Sequence, residues 1–235
     1  MILSPDQIVY YQWKGVGELN ATILFTWAVM AVLVIVSRYT VKRIAAEGPI
    51  PLWQNLLETI VGMISGQIQE VSRQEPFEYI PFIGTIFIFI FSSAIFSVIP
   101  GFLSPTASLS TTVALSICVF VAVPYFGIKR RGLKAYIKSY FQPTILMLPF
   151  NIIGELSRTM ALAIRLYGNM MSGAVILAIL LTLVPLFFPV VMQLLGLVTG
   201  VIQAYIYAIL ALVYISSASQ AHQEKDAEKG EEKYE

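Results

Sequence analysis

The chain has 235 residues, of which 57% are hydrophobic and only 12% charged, and its mean hydropathy is +0.76; a soluble domain has roughly 45–50% apolar and about 25% charged residues, so a water-soluble globule is excluded. A formal net charge of +1, from 15 Lys+Arg against 14 Asp+Glu, leaves no basic excess for nucleic-acid binding. The one cysteine, Cys118, and the one histidine, His222, exclude a disulfide framework, a Cys/His metal cluster and a Ser-His-Asp arrangement within a membrane.

A spanning helix needs about 20 predominantly apolar residues, and residues 19–37 supply the first, ended by Arg38, Lys42 and Arg43. It is too long for a signal peptide and lacks the charged start and small-residue cleavage site of one. Residues 52–73 then place Trp53, Leu56, Leu57, Ile60, Ile64, Ile68 and Val71 at helical spacing with a polar opposite face. This pattern predicts an interfacial amphipathic helix; a connector helix packed on other protein would look the same.

Residues 79–128 carry no charge, but Pro100-Gly101 and Ser104-Pro105 interrupt them, a turn signature that predicts two helices over 80–99 and 108–128. From 139 to 223 the only charges are Glu155, Arg158 and Arg165, and Pro185 and Pro189 mark a break between helices over 146–184 and 189–218. At 1.5 Å per residue the fifth helix would be nearly ~60 Å long, about twice the hydrocarbon thickness, so it must tilt, kink or start outside the bilayer. The fold class expected is an all-α membrane protein with about five transmembrane helices plus one interfacial helix, the last two long and tilted. A single membrane domain spans 1–223, and the charged residues 224–235 read as a solvated, disordered tail.

Short basic loops stay in the cytoplasm. Lys129, Arg130, Arg131, Lys134 and Lys138 fill the loop before the fifth helix, and Arg38, Lys42 and Arg43 follow the first. Both belong inside, which places the N-terminus outside and the C-terminus in the cytoplasm. Topology alone explains these charges.

It does not explain Glu155, Arg158 and Arg165, because ionisable groups at membrane depth are costly and mark function by default. At about 100° per residue, with Arg165 at zero, Asn151 falls near +40°, Glu155 near +80°, Arg158 near +20°, Asn169 near +40° and Ser172 near −20°. The polar groups therefore share one face, with Leu162, Ile164, Leu166 and Met170 opposite. Glu155 and Arg158, three apart, can pair with each other. Arg165 has no acidic residue from Leu166 to Gln223 and cannot lose its proton, so its counter-charge comes from farther off or from another chain unless it snorkels to water. On the sixth helix Gly196, Thr199, Gly200, Gln203, Tyr207 and Tyr214 share a face; the glycines and Tyr214 read as helix packing, while Gln203 and the tyrosines supply hydrogen bonds.

The run Ala161–Met170, ALAIRLYGNM, resembles the signature of subunit a of F-type rotary ATPases: small, any, small, aliphatic, then Arg-Leu-x-Gly-Asn-aliphatic. The similarity runs over nearly the whole chain, through the basic loop to Gln203 and the closing VYISSAS. It implies a stator half of an ion path in a bacterial plasma membrane, with Arg165 as the essential arginine facing a rotating c-subunit ring. Gln203 then matches the glutamine near that arginine, Asn169 the motif asparagine, and Glu155 an acidic residue of an aqueous half-channel. Asn151, Arg158, Ser172 and Tyr207 extend the implied ion pathway. The resemblance further implies b subunits of a peripheral stalk and, indirectly, the F1 sector as partners, the lipid bilayer as surroundings, no cofactor, and no ATP chemistry on this chain itself. Many proton-coupled members have Glu one residue after the glycine that follows the motif, where this chain has Ala174 after Gly173. That departure, Arg158 and the wording ELSRTMALAIRLYGN look more like the divergent N-type branch, for which sodium coupling has been proposed. A self-contained secondary ion transporter is the alternative; it predicts internal repeats, and none is visible.

Overall fold

The computed structural model describes residue 6 and residues 9–13, 17–42, 52–72, 78–99, 101–133, 136, 147–184 and 188–220. A short antiparallel hairpin comes first, β1 (Val9–Trp13) and β2 (Gly17–Asn20), pairing Tyr11 with Leu19 and Trp13 with Gly17, with an irregularity between Val9 and Tyr11. Its aromatic and β-branched residues suit a strand, but the segment is too short and mixed to have been read from spacing. Among the described residues the elements after it are helical: α1 (Ala21–Val41), α2 (Leu52–Ser72), α3 (Ile80–Phe96), a 3-10 turn (Pro105–Ala107), α4 (Leu109–Arg131), α5 (Met147–Leu183) and α6 (Phe188–Gln220). The expected helices are all present.

Four of them, α1, α4, α5 and α6, are long and apolar enough to cross a membrane, and α3 is a shorter apolar helix. Its 17 residues span about 25 Å, at the short end of what the hydrocarbon layer requires. It stops before the expected residue 99 because Val98 and Ile99 bond back three residues, to Ile95 and Phe96, in the tightened turn that precedes a proline. Gly101, at φ +89°, then turns the chain in a conformation other residues rarely adopt. The 37 residues of α5 and 33 of α6 extend about 55 Å and 50 Å, so both must tilt or project beyond a ~30 Å layer.

The core lies among α3, α4, α5 and α6, where Ile83, Ile90, Val119, Leu162, Leu166, Leu212 and Ile215 are buried. α1 touches this bundle lightly and leaves Trp27, Val34 and Ile35 exposed. α2 packs against α3 and α6 through Ile64, Ile68 and Val71, and Tyr205 of α6 donates a hydrogen bond to Gln67 at 2.8 Å; Glu58, Gln69 and Glu70 face outward. The amphipathic stripe is therefore matched to protein along half its length. The side chains of Trp53, Leu56 and Leu57 lie outside the described residues, as does the tail 224–235.

Four buried hydroxyls are satisfied within their own helices: Ser93 donates to Phe89 O, Thr112 to Leu109 O, Ser116 to Val113 O and Thr159 to Glu155 O. This back-bonding lets polar residues enter an apolar core without orphaned groups. At one end of the bundle Glu78 pairs with Lys129 at 3.6 Å and Arg130 at 3.1 Å, bringing the start of α3 to the basic end of α4. At the other end Asp6 accepts from Thr22, Ser108 and Ser110, a carboxylate at the first turns of both α1 and α4, where helix dipoles favour it.

Candidate ion path

The polar residues of α5 divide according to their angular position. Ser172, Arg165 and Arg158, on one side of the arc, are exposed; Asn169, Asn151 and Glu155, farther round, are half-buried; Leu162, at about +60° among these rather than opposite them, and Leu166 and Thr159, beyond them, are buried. The stripe thus runs along the seam where the packed face of α5 meets its open face. The apolar side expected as a unit is split: Leu162 and Leu166 pack inside, whereas Ile164 is 58% exposed. α5 packs on α4 and α6 together, and Ile164 faces neither.

Three contacts set the antiparallel register of α5 and α6. Asn169 Nδ2 donates to Thr199 O at 3.4 Å. Met170 Cε lies 3.1 Å from the place a Cβ on Gly200 would occupy. The Arg158 guanidinium stands over the Tyr214 ring, 5.7 Å from its centroid, a cation–π contact. Arg165 falls between these contacts, level with Gln203 and Tyr207, which are both buried. The face expected on α6 is therefore turned inward, and Gly200 is a point of close approach: a Cβ there would meet Ala94 Cβ of α3 at 2.8 Å.

Arg165 itself makes no ion pair among the described residues. Around it on the open face lie Ala161, Gly168 and Ser172, small side chains that let another helix come close. Arg158 reaches Tyr214 and forms no ion pair with Glu155, so the intrahelical pair that spacing allowed is not made. Glu155 instead has a partner among other groups.

One turn from Arg165, Asn169 borders a cavity of about 270 Å³ between α5, α6 and the turn after α3. Gly173, Ala174, Gln193, Thr199 and Ser104 contribute to its wall, and none of its lining residues is titratable. At about 30 Å³ per water it has room for several molecules. Sequence reasoning missed Gln193, whose Nε2 donates to Ser97 O at 3.2 Å and Val98 O at 2.8 Å, satisfying carbonyls at the end of α3. A lone glutamine in an apolar run is the signal that could have found it. Among the described residues no His/Cys/Asp/Glu group could hold a metal, and Cys118 is free and exposed.

These features define a multi-pass helical membrane protein with a permanent cation on the edge of its longest helix pair and, one turn away, a mainly apolar cavity into whose wall Asn169, Gln193 and Thr199 bring polar groups. The family model of the ATP synthase A chain matches residues 23–216. The chain is 54% identical to ATP synthase subunit a 2 of Picosynechococcus sp., covering 97% of each, and 56% identical to ATP synthase subunit a 2 of Acaryochloris marina, covering 95% of each. It is also 54% identical to ATP synthase subunit a of Albidiferax ferrireducens, over 96% of this chain and 97% of that one. The chain belongs to the ATP synthase subunit a family, and so is a membrane subunit of a larger complex rather than the unit that carries out ATP chemistry.

Proposed function

We propose that the chain is the ion-translocating stator of its complex, coupling ion flow to rotation of a c-subunit ring against the open face of α5. The observation that carries this reading is Arg165: exposed, without an ion pair among the described residues, and flanked by small residues. A carboxylate passing the guanidinium is favoured in its ionised form, since an opposite charge within a few ångströms lowers its pKa by roughly 1–3 units. Its ion is released there. Past the arginine the carboxylate meets lipid, where ionisation is expensive, so it reloads first. Arg165 also repels cations and keeps two half-channels from joining into a leak.

The cavity beside Asn169 supports one half-channel, which opens outside in the orientation set by the basic loop, with the N-terminus outside and the C-terminus in the cytoplasm of a bacterial plasma membrane. Glu155, Asn151 and Arg158 occupy the opposite half of α5 and serve the cytoplasmic one; Gln203, Ser172 and Tyr207 complete the path. Peripheral-stalk b subunits hold the stator, and the F1 sector is reached indirectly. Ala174 and Arg158 favour the N-type branch. The transported ion is a proton or sodium, chosen mainly by the c-subunit site, and sodium dependence of ATP hydrolysis by the whole complex, with and without a protonophore, decides it. The central test replaces Arg165 by Ala in the assembled complex and follows ATP-driven ion pumping in vesicles. Coupled pumping is lost; retention of normal coupled transport refutes the reading.

A further inference from the structure

Gln203 and Tyr207 stand out among the buried polar side chains of the bundle. Gln203 is 6% exposed and Tyr207 1%, yet Gln203 Nε2 and Tyr207 Oη have no hydrogen-bond partner among the described residues. The neighbouring buried hydroxyls of Ser93, Thr112, Ser116 and Thr159 all have one. The two orphans are four residues apart on α6, hence on one face and about 5–6 Å apart at Cβ. At membrane depth no bulk water relieves an unmade hydrogen bond. Ala204 and Ala208 beside them on α6 are buried too, so this part of the helix is enclosed by protein.

We infer that one ordered water molecule bridges Gln203 Nε2 and Tyr207 Oη, and that Tyr207 thereby positions the Gln203 carboxamide for the ion path. The water accepts from Nε2 and exchanges a hydrogen bond with the phenol, meeting both needs at once. An amide is ambiguous by a half-turn, and its two ends differ in sign of recognition. With Nε2 held toward Tyr207, Oε1 remains as an acceptor on the opposite side, at the level of the Arg165 cation. Without the phenol the carboxamide is free to turn its donor end toward the guanidinium, which needs acceptors. The inference rests on the proposed role of Arg165.

The test is a map of the assembled complex at a resolution that shows ordered waters, together with a double-mutant cycle on ATP-driven pumping. Density within hydrogen-bonding distance of both atoms is expected; its absence, or a direct bond of either atom to a third side chain, overturns the inference. Tyr207→Phe is expected to slow pumping about threefold to tenfold in the Gln203 background and to add nothing once Gln203→Leu is present. Equal effects in both backgrounds overturn the coupling, since a purely structural ring would act independently of residue 203. If Tyr207→Phe fails to assemble, the map of the unaltered complex decides alone. Normal pumping by Arg165→Ala would instead remove the proposed function, so the two failures are separable.

Discussion

Gly200→Ala tests the packing that brings α6 against α3 and α5. The added methyl would lie 2.8 Å from Ala94 Cβ and 3.1 Å from Met170 Cε. Methionine can swing aside, but the Ala94 methyl is fixed to its backbone, so α3 and α6 must part by about 0.7–1.2 Å to restore ordinary carbon contact. Overpacking of this kind costs about 1–3 kcal/mol, partly offset by the roughly 1 kcal/mol by which alanine is the better helix former. Gly196→Ala, one turn earlier with nothing within 4 Å of its Cβ, receives only the second effect. The difference between the two variants therefore isolates the clash, at about 1–3 kcal/mol, in unfolding titrations with SDS. Gln203 lies one turn beyond Gly200, so a shift near 1 Å is expected to slow ATP-driven pumping by up to about 100-fold in Gly200→Ala and leave Gly196→Ala near normal. Equal stability and equal pumping for the two would refute the close-approach argument.

Gln193→Leu leaves the carbonyls of Ser97 and Val98 without the donor they share and is expected to lower stability by about 1–3 kcal/mol, read by the same SDS titration; an unchanged midpoint would show that other groups satisfy those carbonyls. Glu155→Gln keeps the shape of a half-buried side chain but removes its charge, and is expected to slow transport while the complex still assembles. Pumping rates unchanged across pH would count against a half-channel role for that residue.

Helix count and boundaries were legible because they follow from apolar length and from punctuation by Pro and Gly, both local properties. α3 and α4 did form on either side of the Pro100-Gly101 and Ser104-Pro105 signals, and α5 and α6 on either side of Pro185. The angular position of the polar stripe was legible for the same reason, since a helix converts spacing into direction. What spacing could not supply was which neighbour covers which part of that stripe. Ile164 and Leu162 are equally apolar, yet one faces outward and the other is buried, because burial is decided by α4 and α6. The partners of Asp6, Gln193 and Gln67 are likewise on other elements, at separations no periodicity links.

The seam position of Arg165 resolves a conflict that neither face of α5 could. On the packed side the guanidinium would be stripped of water among Leu162 and Leu166, and a buried unpaired charge is strongly destabilising. In the middle of the open face, beside Ile164, it would meet only hydrocarbon in the absence of a partner. At the edge it can turn toward an anion on a second protein while its other flank stays level with the carboxamide of Gln203 and the cavity beside Asn169. A lysine could answer the same conflict by releasing its proton and becoming neutral; an arginine cannot. In the proposed function an external carboxylate completes this site, and the exposed small residues Ala161, Gly168 and Ser172 leave room beside Arg165 for its approach.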